Sequence, residues 1–138
     1  MTPFEHEISV TWGDCDPAKI VYTGNIPGYA LSAINAFWEH VLDGDGWYQM
    51  ELDWNVGTPF VHMSLDFRSP ITPRAKLACS VRPIRLGNTT IEFEVIGRQD
   101  RLCNFEGRFV CVFTDATTFT KRTAPSAFLD VLRPYLVK

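Results

Sequence analysis

The chain has 138 residues, a formal net charge of −3, and 46% hydrophobic and 13% aromatic residues. That length suits one domain, 1–138, with a core of its own, and the composition excludes a disordered chain. The acidic balance and the scattered basic residues exclude the charge footprint of a nucleic-acid binder or a polybasic membrane anchor.

No apolar run approaches the roughly 20 residues that span a bilayer. The opening Thr2-Pro3-Phe4-Glu5 lacks both the basic and the apolar region of a signal peptide, so a soluble, cytoplasmic protein is expected. Cys15, Cys79, Cys103 and Cys111 form no C-x-x-C pair, and His6, His40 and His62 are dispersed. No metal, no cofactor and no disulfide framework are therefore expected, with Cys79 and Cys111 as reduced core thiols.

In chain order, residues 4–12 alternate, with Phe4, His6, Ile8, Val10 and Trp12 on one face, and predict a half-buried strand. A loop, Gly13-Asp14-Cys15-Asp16-Pro17, and an apolar run, Ile20-Val21-Tyr22, follow. Pro27 suits a first helical turn, where its missing N–H has no partner to lose. The helix it opens runs to about Leu42, some 24 Å, and is apolar nearly all round, as a buried helix is. Residues 43–57 read as a loop or a short irregular helix.

Strands dominate the second half. Val61, Met63, Leu65 and Phe67 alternate with polar neighbours; a second run through Leu77, Cys79 and Val81 ends near Leu86. Gly87-Asn88 marks a hairpin into residues 89–96. A last strand, about 105–114, is apolar at both parities from Phe109 to Phe113 and is expected to be central. A short helix from about Ser126 to Leu132 stops before Pro134. One strand, a long helix and four strands in antiparallel meander make an α+β fold.

Asp14 and Asp16 stand out as chemistry-bearing groups, in a loop that leads to a helix start. Unpaired N–H groups at such a start suit a carbonyl oxygen becoming an oxyanion, and a nearby carboxylate could attack a thioester or activate water. From spacing alone, turn residues or caps are the commoner reading of aspartates in such a loop.

Residues 12–25, WGDCDPAKIVYTGN, resemble the signature of the 4-hydroxybenzoyl-CoA thioesterase family of hotdog proteins. The likeness extends through Gly57-Thr58-Pro59-Phe60-Val61 and Ile84-Arg85-Leu86-Gly87-Asn88-Thr89, over about residues 5–115. It implies an antiparallel five-stranded sheet wrapped around a long central helix, and hydrolysis of an aryl- or short/medium-chain acyl-CoA. The family's catalytic carboxylate falls on Asp16, as nucleophile or as general base, with oxyanion donors near Thr23 and Gly24. Asp14 is left to cap or brace the loop.

The resemblance further implies a homodimer, or a dimer-of-dimers tetramer, with the site between subunits. Thr58, Pro59 and His62 of one chain would then face the Asp16 loop of the other, with Tyr22 and Thr58 lining the acyl pocket. Arg85 matches a CoA-contacting residue; Arg82, Arg74 and Lys76 are further candidates for its phosphates. Tyr22, Tyr29, Trp38 and Trp47 could shape an aryl pocket or simply fill core. Two departures stand out: Lys19 replaces the glycine usual after the second aspartate, and Ile26 replaces an aromatic at the helix start. The competing readings are a hydratase, for which the helix offers only His40 at its far end, and a non-catalytic acyl-thioester or acyl-carrier binding protein with a decayed site.

Overall fold

A computed structural model describes residues 3–136; Thr2, part of the opening stretch read above, lies outside the described residues. Strand β1 spans Phe4–Ile8 and leads through a 3₁₀ turn, Trp12–Asp14, toward a second one, Thr23–Asn25. Helix α1, Ile26–Leu42, continues directly from that second turn, with Pro27 in its first turn as expected. Then come α2 (Trp47–Trp54), β2 (Val56–Gly57), β3 (Phe60–Phe67), β4 (Leu77–Leu86), β5 (Thr90–Gln99), β6 (Leu102–Val112), β7 (Thr114–Asp115) and α3 (Ser126–Leu136). No helix among the described residues is long and apolar enough to cross a membrane.

Five strands form one antiparallel sheet in the order β1-β4-β5-β6-β3, and β2 pairs with β7 in a small second one. Alternation places Leu77, Cys79 and Val81, then Ile91, Phe93 and Val95, then Phe105, Phe109 and Cys111 on one face, all fully buried. Helix α1 covers that face with Ala30, Ala33, Ile34, Phe37 and Trp38. Phe37 and Trp38 meet Phe93 edge-on, with ring centroids 5.6 and 5.9 Å apart, the geometry the aromatic quadrupole favours. The opposite face carries charge: Arg82 pairs with Glu94, and Arg108 with Glu92 and Glu94. All four cysteines are free; burial pushes the Cys79 and Cys111 thiols up to about 12, so both stay protonated.

Several expectations need correction. The four later strands are not a simple meander: β3 pairs with β6 and lies at the sheet edge, so residues 68–76 must cross over to reach β4. This crossing does make β6 interior, as expected. β1 ends at Ile8 rather than near Trp12, because the Asp14 carboxylate accepts the Thr11 N–H at 3.1 Å and curls the chain out of the ladder. Trp12 is left 71% exposed. The segment after α1 holds a short helix, α2, one of the two readings expected there, entered through Gly46 at φ 62, where a Cβ would strike Asn35. Helix α3 continues through Pro134 to Leu136. Proline there forfeits one hydrogen bond in the last turn, while Tyr135 packs edge-on against Phe37 at 5.2 Å.

Candidate active site

The loop between β1 and α1 is held by backbone bonds before any side chain acts. Asp16 N–H donates to the Ile20 carbonyl at 3.0 Å, and Lys19 N–H to the Asp16 carbonyl at 2.8 Å. Val21 N–H reaches across to the Ile71 carbonyl at 2.9 Å, which ties the loop to the crossover after β3. Lys19 takes a left-handed conformation, φ 69. That backbone suits glycine, the residue the family resemblance implies at this turn.

Asp14 is the hub. Its carboxylate accepts the Tyr29 hydroxyl at 2.8 Å and the Thr11 N–H at 3.1 Å. Its carbonyl accepts the Tyr22 N–H and the Asn25 side-chain amide, both at 2.9 Å. Hydrogen bonds from Tyr29 and then Thr11 hold the Asp14 carboxyl below the usual carboxylate range. Burial, together with the Asp14 carboxylate, pushes the Tyr29 phenol well above its ordinary value. The bracing role of Asp14 thus has a partner that the sequence reading placed only among core or pocket aromatics.

Asp16 is half-buried and lines an open depression of about 520 Å³ with Trp12, Gly13, Cys15, Pro17 and Lys19. One carboxylate oxygen accepts the Ala18 N–H at 2.8 Å; the other has no protein partner among the described residues. The amides of Thr23 and Gly24, at the head of the helical run, likewise donate to no protein group among the described residues. Thr23 lines a separate cleft of about 280 Å³ with Ile20, Val21, Ile26, Phe67 and Ile71, which does not include Asp16. Gly24 sits under the Tyr22 ring, where a Cβ would meet Tyr22 Cε2 at 2.5 Å. Tyr22 itself is 56% exposed.

The remaining predicted residues lie elsewhere on the single chain. Thr58 and Pro59 line a cavity of about 210 Å³ with Trp47, Phe60, Thr114 and Phe119. His62 is exposed on β3 opposite Val110, and Arg85 is exposed at the β4 bulge near the β4–β5 hairpin. Among the described residues, the depression that contains Asp16 includes none of Thr58, Pro59, His62 and Arg85. Trp38 is fully buried against Phe93 and Phe128, a core residue rather than a pocket wall. Arg82 is engaged by Glu94, and Lys76 lies 3.9 Å from Glu7. No three His, Cys, Asp or Glu among the described residues cluster as a metal site.

Sequence reasoning missed Gln99. Its side chain donates to the carbonyls of Thr72 (2.7 Å) and Ala75 (2.8 Å) and accepts the Thr72 N–H at 3.2 Å. It therefore clamps the crossover whose Ile71 carbonyl holds the Asp16 loop. The signal was available: Gln99 continues the buried parity of Ile91, Phe93 and Val95, where a polar residue must find partners.

A long helix lying in the concave face of a five-stranded antiparallel sheet, with a carboxylate loop at the helix head, is the hotdog fold of the thioester hydrolases. Residues 10–132 match the family model described as the thioesterase-like superfamily, and the chain belongs to that family. A thioesterase superfamily protein from Jannaschia sp. CCS1 is 50% identical, with TM-score 0.95 over 99% of this chain and 94% of that one. The 1,4-dihydroxy-2-naphthoyl-CoA hydrolase of Nostoc punctiforme is 28% identical over 94% of this chain and 86% of that protein. A thioesterase from Thermus thermophilus, solved with coenzyme A and Zn, shares the fold at TM-score 0.81 and 18% identity, over 98% of this chain and 95% of that one. The chain is accordingly a thioester hydrolase.

Proposed function

We propose that the chain hydrolyses CoA thioesters of aryl or short- to medium-chain acids, with Asp16 as the reacting carboxylate. The observation that carries this reading is that one loop bears both a half-buried carboxylate with a free oxygen and, a few residues on, two unpartnered amides. Asp14, two residues from Asp16 in the chain, ties that loop to the helix head through Tyr22, Asn25 and Tyr29. A thioester oxygen held by the Thr23 and Gly24 N–H groups would gain bonds as it becomes an oxyanion.

Two routes fit that geometry. The free Asp16 oxygen attacks the acyl carbon, the C–S bond breaks, and water then hydrolyses the mixed anhydride. Alternatively Asp16 takes a proton from a water that attacks the same carbon. In either route the thiolate of CoA leaves and is protonated from solvent.

The site's other predicted parts support a homodimer, the unit of any larger assembly. β3 has eight residues, so its ends are about 25 Å apart. The Asp16 loop is tied to the crossover after its C-terminal end, through Ile71, whereas Thr58 and Pro59 lead into its N-terminal end. β3 is an edge with one unpaired side and exposes Val61, Met63 and Phe67. Antiparallel pairing of two such edges turns one strand end for end. The Thr58–His62 region of one chain would then meet the Asp16 loop of the other.

An aryl group is supported by the Nostoc relative's substrate and by the aromatic walls Trp47, Phe60 and Phe119 around Thr58 and Pro59. Arg85 has no carboxylate partner among the described residues, which leaves its guanidinium available to a CoA phosphate. The test is thiol release from benzoyl-, hydroxybenzoyl-, short- and medium-chain acyl-CoA. Asp16→Asn should lower kcat by about 10²- to 10⁴-fold on the preferred ester. Full activity in that variant would remove Asp16 from the chemistry.

A further inference from the structure

Lys19 carries two features that hydrolysis by Asp16 does not require. Its backbone is left-handed at φ 69, a conformation that disfavours every side chain and for which lysine lacks the local compensation open to Asn or Asp. It also lines the depression that contains Asp16, and it is the one cation there among the described residues. Unlike Arg68, Lys76, Arg82, Arg108 and Arg133, it makes no ion pair among the described residues. The same depression has an exposed indole wall, Trp12, which offers a flat apolar face.

We infer that Trp12 and Lys19 form a subsite for a flat ring that bears negative charge, a reading that rests on the proposed thioesterase activity. The indole takes the ring by stacking, and the ammonium takes its anionic group. Such chemistry has two sources in one substrate: an aryl acyl group with a phenolate or carboxylate, or the adenine and phosphates of CoA. Either places the anion beside the loop that performs the attack.

The experiment uses four thioesters: benzoyl and 4-carboxybenzoyl groups, each on CoA and on N-acetylcysteamine, which lacks the nucleotide. Lys19→Gly keeps the left-handed turn and removes the charge; Lys19→Arg restores charge on a different head group. The readout is the ratio of kcat/KM between paired substrates, which a general loss of fold or of Asp16 geometry does not move. Lys19→Gly should cut the preference for the charged member about tenfold, as loss of one charged contact does, and Lys19→Arg should recover most of it. A fall in the CoA-to-cysteamine ratio identifies the nucleotide; a fall in the carboxybenzoyl-to-benzoyl ratio identifies the acyl ring. Unchanged ratios, or an equal loss on all four, overturn the subsite while leaving the hydrolase intact. No hydrolysis of any ester by the wild-type protein overturns the substrate reading beneath it.

Discussion

Tyr29→Phe isolates the brace behind the candidate site, because it deletes one hydroxyl and keeps the ring. The lost contact is a 2.8 Å hydrogen bond to the Asp14 carboxylate. Bonds to a charged partner contribute about 1.5–3 kcal/mol, and partial exposure of Asp14 places this one toward about 1 kcal/mol. For a chain of 138 residues that is a fall in Tm of roughly 3–4 °C at neutral pH. The pH dependence carries the diagnosis. The folded Asp14 carboxyl titrates below its ordinary 3.8, so its contribution is full above that value and is lost as pH falls through the folded pKa. The Tm gap between wild type and Tyr29→Phe should therefore be constant from about pH 5 to 8 and narrow below pH 4. In the proposed mechanism the same variant should lower kcat about tenfold with little change in KM, since the brace would orient the Asp16 loop relative to the helix head without touching substrate. A gap under 1 °C, or one equally wide at pH 7 and pH 3, would refute the brace.

Two further outcomes follow from the crossover and the sheet edge. Gln99→Ala leaves the part-buried carbonyls of Thr72 and Ala75 without their donor and should destabilise by about 1–2 kcal/mol, read by urea unfolding; a shift within about 0.5 kcal/mol would show that water replaces the amide. Val61→Lys with Met63→Lys puts charge on the free edge and should yield monomers by light scattering with little thiol release; an active double variant of unchanged mass would place the subunit contact away from β3.

Much of the fold was readable because its two periods are plain. Ile91, Phe93 and Val95 repeat every second residue, and Ala30, Ile34, Phe37 and Val41 follow the helical turn, so β5 and α1 emerge near their observed limits. Strand order was not readable in the same way. Val61, Met63 and Phe67 alternate like a strand with one buried face, yet β3 lies at the edge and exposes all three. Periodicity records which residues share a face; it does not record which neighbour covers that face. Pro134 misled for a related reason, since the chain rule that ends helices at proline yields where Tyr135 has a ring to pack on. At the site, the family resemblance of residues 12–25, rather than spacing, directed attention to Asp16 and to the helix head. Tyr29 and Gln99 escaped because each acts across the fold, on residues 15 and 24–27 positions away in sequence.

The position of β3 has a kinetic meaning as well. If two such edges pair antiparallel, as proposed, each chain would supply its loop to one site and its Thr58 end to the other, so both sites would be completed in the same event. No assembly intermediate would hold a single finished site. Specific activity would then be a property of concentration, falling at high dilution with the fraction of paired chains. Dilution would act on such an enzyme as an inhibitor does, and reversal on concentrating the sample would follow second-order kinetics.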